Sequence, residues 1–203
     1  MNLFQLVWYN RPLPDMSNGE IDYGPLAGLI GVWKGDKGTD IAPEPDGTEN
    51  TPYRETITYT AIGDVKNAGE QVLTALHYRQ IVQRKSDDEV FHDQTGYWMW
   101  DAAELTVMHS LQIPRAVSVL AGGHFNGETN EAGQAIIEVS ASAESNDWKI
   151  IESPFMAAKA STRSFSQKIV VGDGNMSYSQ TTLVDIYGSP EFLHTDENEL
   201  VLG

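Results

Sequence analysis

The stretch Val90–Arg115, VFHDQTGYWMWDAAELTVMHSLQIPR, decides the fold class of this chain. Its first half is dense in aromatic and β-branched residues, such as Phe91, Tyr97 and Trp100, which favour a half-buried β-strand. A tight connection at Asp101–Ala103 leads into a second run in which apolar and polar residues alternate. The pattern predicts two antiparallel strands joined as a hairpin.

The register of this hairpin decides which histidine faces inward, and the sequence leaves two alternatives open. A three-residue connection places His92 directly opposite Gln112, with both side chains on one face. In the second alternative His109 and Leu111 face inward, because a one-residue slip exchanges the two faces of a strand. A bulge near Ser110 would let both ends face inward. In each case an imidazole lies on an otherwise bulky, apolar wall.

The amino-acid composition argues against several classes of function. The 203 residues, 40% of them hydrophobic, are enough for one large β domain with its own core. The formal net charge of −16 repels phosphate backbones and anionic lipid heads, so we expect no nucleic-acid partner and no membrane partner. The absence of cysteine excludes disulfides, thiolate metal sites and a cysteine nucleophile.

The sequence also bears on the cellular compartment and the oligomeric state. It contains no run of about 18 apolar residues, and its first residues lack the basic region of a signal peptide. We therefore predict a protein of the cytoplasm. The oligomeric state is left open, with a homodimer as one alternative.

Turn residues divide the chain into about ten short strands with nearest-neighbour connections. Residues 1–23 are predicted to form an irregular N-terminal arm, and residues 24–203 a single β-barrel domain. Short helical turns are expected at Pro25–Ile30 and Pro154–Ala160. This order is typical of an all-β, antiparallel up-and-down barrel, with a sandwich as the alternative.

Two segments near the start have distinct compositions. Gly31–Gly38 (GVWKGDKG) suits a strand that crosses the floor of a small barrel, with its tryptophan closing that end. The following segment, Ala42–Pro52, is rich in Pro, Asp, Gly and Glu and is predicted to be a loop.

Local motifs for common catalytic chemistry are absent. There is no HExxH or other closely spaced pair of ligands, so local spacing does not predict a zinc site. There is no Gly-x-Ser-x-Gly, which excludes an α/β-hydrolase. The candidates for chemistry are the five histidines: His77, His92, His109, His124 and His194.

His194 follows a break in the chain that could aim it into the mouth of a barrel. The break is Gly188-Ser189-Pro190, after which a new segment returns across the predicted sheet. Acidic residues at 196, 197 and 199 surround the histidine, so a surface position is the alternative.

Three patches then point to a known family. They are Leu29–Gly38 (LIGVWKGDKG), with a Gly-x-Trp-x-Gly core; Phe91–Trp98 (FHDQTGYW), with a histidine and a Gly-aromatic pair; and Pro190–His194 (PEFLH), a Pro-x-x-x-His segment. In order and spacing they resemble the nitrobindins, which are haem-binding β-barrels related in shape to fatty-acid-binding proteins. The likeness covers about the last five-sixths of the chain.

The resemblance implies a b-type haem in an apolar pocket, with His194 as the only protein ligand of the iron. It also implies interaction with nitric oxide and isomerisation of peroxynitrite to nitrate, although it leaves open whether this chain is an enzyme. The residues predicted to contact the haem are His194, His92, Gln112, Val184, Phe91 and His109.

This sequence departs from the family pattern at several positions. Gln94 stands where the family has Glu, and Phe91 where it has Met, so hydrogen bonding in the pocket differs. Thr195-Asp196 replaces an apolar or basic continuation after the iron ligand. Ile113–Arg115 interrupts a small-residue turn, which affects the match of Gln112 to the family's pocket glutamine.

Two other classes of function remain alternatives. The first is a non-enzymatic carrier of a fatty acid or another apolar small molecule, for which a small barrel is well suited. Its carboxylate clamp would be an inward arginine, and Arg79, Arg115 and Arg163 are the candidates. The second is a barrel with a filled interior that acts only through its surface or its N-terminal arm.

Overall fold

The computed structural model describes residues 21–203. The predicted arm at 1–23 therefore lies, except for its last three residues, outside the described residues. The described chain contains a 3₁₀ helix at Gly24–Leu29 and a six-residue helix, α1, at Pro154–Lys159, which confirms both predicted helical turns. Its eleven strands are β1 (Gly31–Glu44), β2 (Gly47–Ala68), β3 (Gln71–Arg84), β4 (Val90–Asp101), β5 (Thr106–Ile113), β6 (Val117–His124), β7 (Ala135–Ser142), β8 (Ile150–Glu152), β9 (Ala160–Gly172), β10 (Asn175–Ile186) and β11 (Ser189–Leu202).

Ten of these strands close into an antiparallel barrel. Each strand from β1 to β6 pairs with the next, and β7 pairs with β9. β9 pairs with β10, β10 with β11, and β11 returns to pair with β1. The three-residue β8 lies beside β6 and is not part of the closed ring. The prediction of an up-and-down barrel is confirmed, and the sandwich alternative is wrong. Within residues 21–203, no helix is long and apolar enough to span a membrane.

The register of the β4–β5 hairpin that places His92 opposite Gln112 is wrong, and the alternative in which His109 and Leu111 face inward is confirmed. Four residues connect the strands, so Thr95 lies opposite Gln112 and Trp98 lies opposite His109. The connection is one residue longer because Asp101 Oδ1 accepts hydrogen bonds from the N–H groups of the two residues that follow Ala102. Leu105 then adopts a φ of 49°, a left-handed conformation that closes the turn.

This register settles the orientation of the hairpin side chains. His92 and His109 both face the interior side of the sheet, whereas Gln112 lies on the outer face, where its Oε1 accepts from Ser118 Oγ at 2.7 Å. The two histidines share the interior although no bulge interrupts β5 at Ser110.

The loop predicted at Ala42–Pro52 is also wrong. β1 and β2 remain paired as far as Glu44 opposite Gly47, which leaves only two residues in the turn. β1 stops pairing with β11 at Ile41, so the strand beyond that point has a free edge. A proline is tolerated on such an edge because its missing N–H is not required there.

One end of the barrel is closed by a packed core. The 3₁₀ helix lies against β4, β7 and β9 at this end, and Leu26 and Leu29 on it are fully buried. Trp33 Nε1 donates to the Leu29 carbonyl at 2.7 Å, which fixes the helix against β1. Trp98 and Trp100 complete this buried cluster. The predicted role of the Gly31–Gly38 strand in closing the barrel floor is therefore confirmed, and the opposite end is left for a cavity.

Candidate functional site

A cavity of about 510 Å³ occupies the end of the barrel opposite the packed floor. Its volume lies within the range of roughly 300–1,000 Å³ typical of small-molecule sites. Apolar side chains form most of the wall, among them Val82, Leu111, Val119, Phe165 and Val184. A hollow of this size contradicts the alternative in which side chains fill the interior.

His194 lines this cavity from β11. Its Nε2 lies 2.6 Å from Asp40 Oδ1 on the neighbouring strand β1, and 3.8 Å from Asp196 Oδ2. The alternation of β11 turns residues 194, 196, 198 and 200 toward the interior, which is the inward orientation that the sequence offered as one alternative for His194. No hydrogen bond joins His194 Nδ1 to any residue within 21–203.

The two carboxyl groups beside His194 differ in their electrostatics. Burial raises the pKa of Asp40, but hydrogen bonds with His194 and Asp196 outweigh it and hold that pKa below its ordinary value. Burial raises the pKa of Asp196 to about 8, against the opposing effect of the His194 charge. At neutral pH the negative charge of this pair therefore lies mainly on Asp40.

The pKa of His194 lies above its ordinary value. Burial lowers it, but the hydrogen bond to Asp40 and the charges of Asp196 and Asp40 outweigh the burial. The imidazole and the Asp40 carboxylate thus form a charge-assisted hydrogen bond in a place that is partly shielded from water.

His92 lines the cavity from β4 and begins a chain of hydrogen bonds that runs into the core. His92 Nε2 lies 2.9 Å from Gln94 Oε1, and Gln94 Nε2 donates to Tyr78 Oη at 2.9 Å. Tyr78 Oη in turn lies 2.8 Å from His109 Nε2. Burial lowers the pKa of His92, so this ring is neutral at the cavity wall.

His109 is fully buried and does not line the cavity. It stacks on Trp98 with ring centroids 4.0 Å apart, and burial lowers its pKa to about 3. Gln112 does not line the cavity either, because its side chain is on the outer face. Of the six residues predicted from sequence, the structure brings four to the cavity: His194, His92, Phe91 and Val184.

Asp40 was missed from the sequence alone, and Arg115 was not distinguished from two other arginines. Asp40 stands in an unremarkable strand, and only the closure of the barrel brings it to His194, 154 positions away. Arg115 was one of three arginines that the sequence could not separate. Arg79 and Arg163 form ion pairs with Asp93 and Asp185, whereas Arg115 lies on the cavity rim and is the only Arg or Lys among the described cavity residues.

The imidazole of His194, with Asp40 beside it, is suited to bind a haem iron. A metal-bound histidine usually donates its other ring N–H to a carboxylate or carbonyl oxygen, which orients the ring and increases its basicity. His194 and Asp40 form such a pair, and the second ring nitrogen remains available. The residues that would hold a haem are therefore His194 at the iron and the apolar wall around Phe91 and Val184 at the porphyrin.

Comparison with known proteins agrees with the architecture. A family model described as "THAP4-like, heme-binding beta-barrel domain" matches residues 22–201. The crystal structure of Rv2717c from M. tuberculosis is similar to this chain with a TM-score of 0.64 at 19% sequence identity, and the similarity covers 90% of this chain and 99% of that one. At this identity the structural likeness shows the fold alone. No curated protein matches the chain.

Proposed function

Because this chain belongs to the THAP4-like, haem-binding β-barrel family, we propose that it binds a b-type haem whose iron is held by His194. The family assignment confirms the nitrobindin-like resemblance that the three sequence motifs indicated. The observation that carries the proposal is the position of one imidazole. His194 lies on the wall of an apolar cavity with one ring nitrogen on Asp40, and its other nitrogen has no hydrogen-bond partner among residues 21–203.

The cavity wall supplies the affinity. Burial of apolar surface is worth about 25 cal/mol per Å², and Phe91 and Val184 are among the side chains that would cover a porphyrin. Arg115 on the rim suits a carboxylate, such as a haem propionate, because a guanidinium binds carboxylates in a bidentate manner.

A haem held by one histidine would supply an iron atom that binds nitric oxide reversibly and, as the nitrobindin resemblance implies, isomerises peroxynitrite to nitrate. The neutral ring of His92 can offer hydrogen bonding near this ligand without adding a positive charge. The partner that this proposal requires is a small-molecule ligand of the haem. We propose that the protein works in the cytoplasm.

Haem titration of the purified protein tests the proposal. The wild-type protein should develop a Soret band with saturation at one haem per chain, and His194→Ala should abolish it because the iron loses its protein ligand. His77→Ala is the matched control, since His77 lies on the outer face and contacts Thr95 Oγ1. A Soret band that is unchanged in His194→Ala, or absent from the wild type, contradicts the proposal.

The second candidate function is a carrier of a small carboxylic acid. Arg115 is the observation that favours it, because this side chain lies on the rim of an apolar cavity without an acidic partner among the described residues. If haem gives no Soret band while a fluorescent fatty acid binds and Arg115→Ala releases it, the carrier function replaces haem binding.

A further inference from the structure

Asp40 is placed to act on His194 more directly than any other described side chain. Only 6% of Asp40 is exposed, and its Oδ1 lies 2.6 Å from His194 Nε2. The pairing of β1 with β11 sets Asp40 opposite Asp196 and brings its carboxylate beside the ring. Water competes little for a carboxylate in this position, so the hydrogen bond is stronger than one at the surface.

We propose that Asp40 is a positioning residue for the iron ligand: it accepts the N–H of one ring nitrogen of His194, fixes the plane of the ring, and increases electron donation from the other nitrogen. This inference rests on the proposed function of His194. Hydrogen bonding to a metal-bound histidine is one of the means by which a protein sets the properties of a haem iron. A carboxylate that draws on the ring proton makes the imidazole more anionic, which stabilises the ferric over the ferrous state.

Asp196 provides an internal comparison. Its Oδ2 is 3.8 Å from His194 Nε2, beyond hydrogen-bond distance, and it accepts from Gln180 Nε2 at 3.2 Å. Both carboxyl groups line the same cavity, but only Asp40 holds the ring. A general disturbance of this end of the cavity would follow from replacing either residue, whereas positioning of the ring depends on Asp40 alone.

The test compares Asp40→Asn with Asp196→Asn in the full chain reconstituted with haem. Asn keeps the shape of Asp and replaces one carboxyl oxygen with an amide nitrogen, which cannot accept a ring N–H. Asp40→Asn should weaken haem binding by about 10- to 100-fold, as expected for a residue that supports a metal ligand. It should also move the midpoint potential of the iron to a more positive value and lower the frequency of the iron–histidine stretch in the resonance Raman spectrum of the ferrous protein. Asp196→Asn should produce smaller changes in all three measurements.

The outcomes separate this inference from the function on which it rests. If Asp40→Asn folds, shows a wild-type circular dichroism spectrum and keeps the wild-type stretch and potential, the inference is wrong while His194 remains the iron ligand. Equal effects of the two variants would also overturn it, because they would indicate a general disturbance of the cavity rather than positioning of the ring by Asp40. If His194→Ala retains the wild-type Soret band, the proposed function fails and the inference falls with it.

A divalent cation is the competing occupant. The ligand atoms of Asp40, His194 and Asp196 all lie within 4.8 Å of one another. Tight binding of Zn²⁺ or Mn²⁺ that depends on all three residues and prevents haem binding would assign the cluster to that cation and overturn the role of Asp40 proposed here.

Discussion

Glu55 on β2 is a buried carboxyl group outside the cavity. Only 4% of it is exposed, and it accepts hydrogen bonds from Gln80 Nε2 at 2.5 Å and Asn198 Nδ2 at 2.8 Å. Burial raises its pKa from 4.5 to about 7, although the hydrogen bonds oppose the shift. The folded state therefore holds a proton on Glu55 over a range of pH in which the unfolded chain has released it.

This shift predicts that stability falls as pH rises. Below pH 4.5 the group is protonated in both states, and its contribution is lost progressively as pH rises through 7. Each pKa unit is worth about 1.4 kcal/mol, so the loss should reach about 3 kcal/mol. Glu55→Gln should remove this part of the pH dependence, as measured by urea unfolding between pH 4 and pH 8.

The matched control is Glu49→Gln, which changes an exposed glutamate on the same strand. Its stability should follow the wild-type pH profile. Parallel profiles for Glu55→Gln and the wild type would show that Glu55 titrates alike in the folded and unfolded states, contrary to this prediction.

At the scale of elements, β4 and β5 approach each other closely at Gly96. A Cβ at this position would lie 1.9 Å from the Ser110 carbonyl oxygen, a backbone atom that cannot move without disturbing the pairing. Gly96 faces the same side as Gln94 and Trp98, next to the segment that presents His92. The glycine therefore permits the close approach of the two paired strands next to the cavity.

We expect Gly96→Ala to destabilise the protein by about 1–3 kcal/mol, the usual cost of overpacking. Gly28→Ala is the control, because a Cβ there would make an ordinary contact of 3.5 Å with Val171. Thermal unfolding of both variants measures the difference. Equal melting temperatures for the two would mean that β5 shifts without cost, which would contradict the close approach.

The β4–β5 hairpin also shows which structural features a sequence pattern predicts and which it does not. The aromatic and β-branched residues of Val90–Asp101 predicted a strand, and the structure confirms one. The turn begins one residue later and is one residue longer than predicted, with Asp101 Oδ1 bonded to its backbone, so Thr95 and not His92 lies opposite Gln112. Strand existence follows from local composition, whereas register depends on a turn whose length a single side-chain hydrogen bond can alter.

At the scale of the whole molecule, the excess of acidic residues opposes the binding of anions. The chain has 29 Asp and Glu against 13 Lys and Arg, with a net charge of −16. Haem and fatty acids both carry carboxylates, so their approach is slowed by long-range repulsion. Affinity must then come from apolar contact within the cavity and from local groups such as Arg115 and His194.

The rate of haem association should therefore rise with ionic strength. Salt at about 0.15 M shortens the screening length to roughly 8 Å, which weakens repulsion between the surface and the propionates. Stopped-flow absorbance in the Soret region, at low salt and near 0.15 M, measures this rate. A rate that falls with salt would show that the guanidinium of Arg115 governs the encounter instead of the net charge.

The sequence by itself determined the class of fold, whereas it left open which face of the β4–β5 hairpin and which side of β11 point inward. Alternation with a period of two and regularly spaced turns are local properties, and they indicated an antiparallel β-barrel. The resemblance of three motifs to the nitrobindins, and not periodicity, implied His194, His92, Phe91 and Val184 as pocket residues. Only the tertiary structure decided what surrounds His194. The pairing of β1 with β11 closes the barrel and brings Asp40 to that ring. No local pattern encodes this contact, because it depends on how the two ends of the sheet meet.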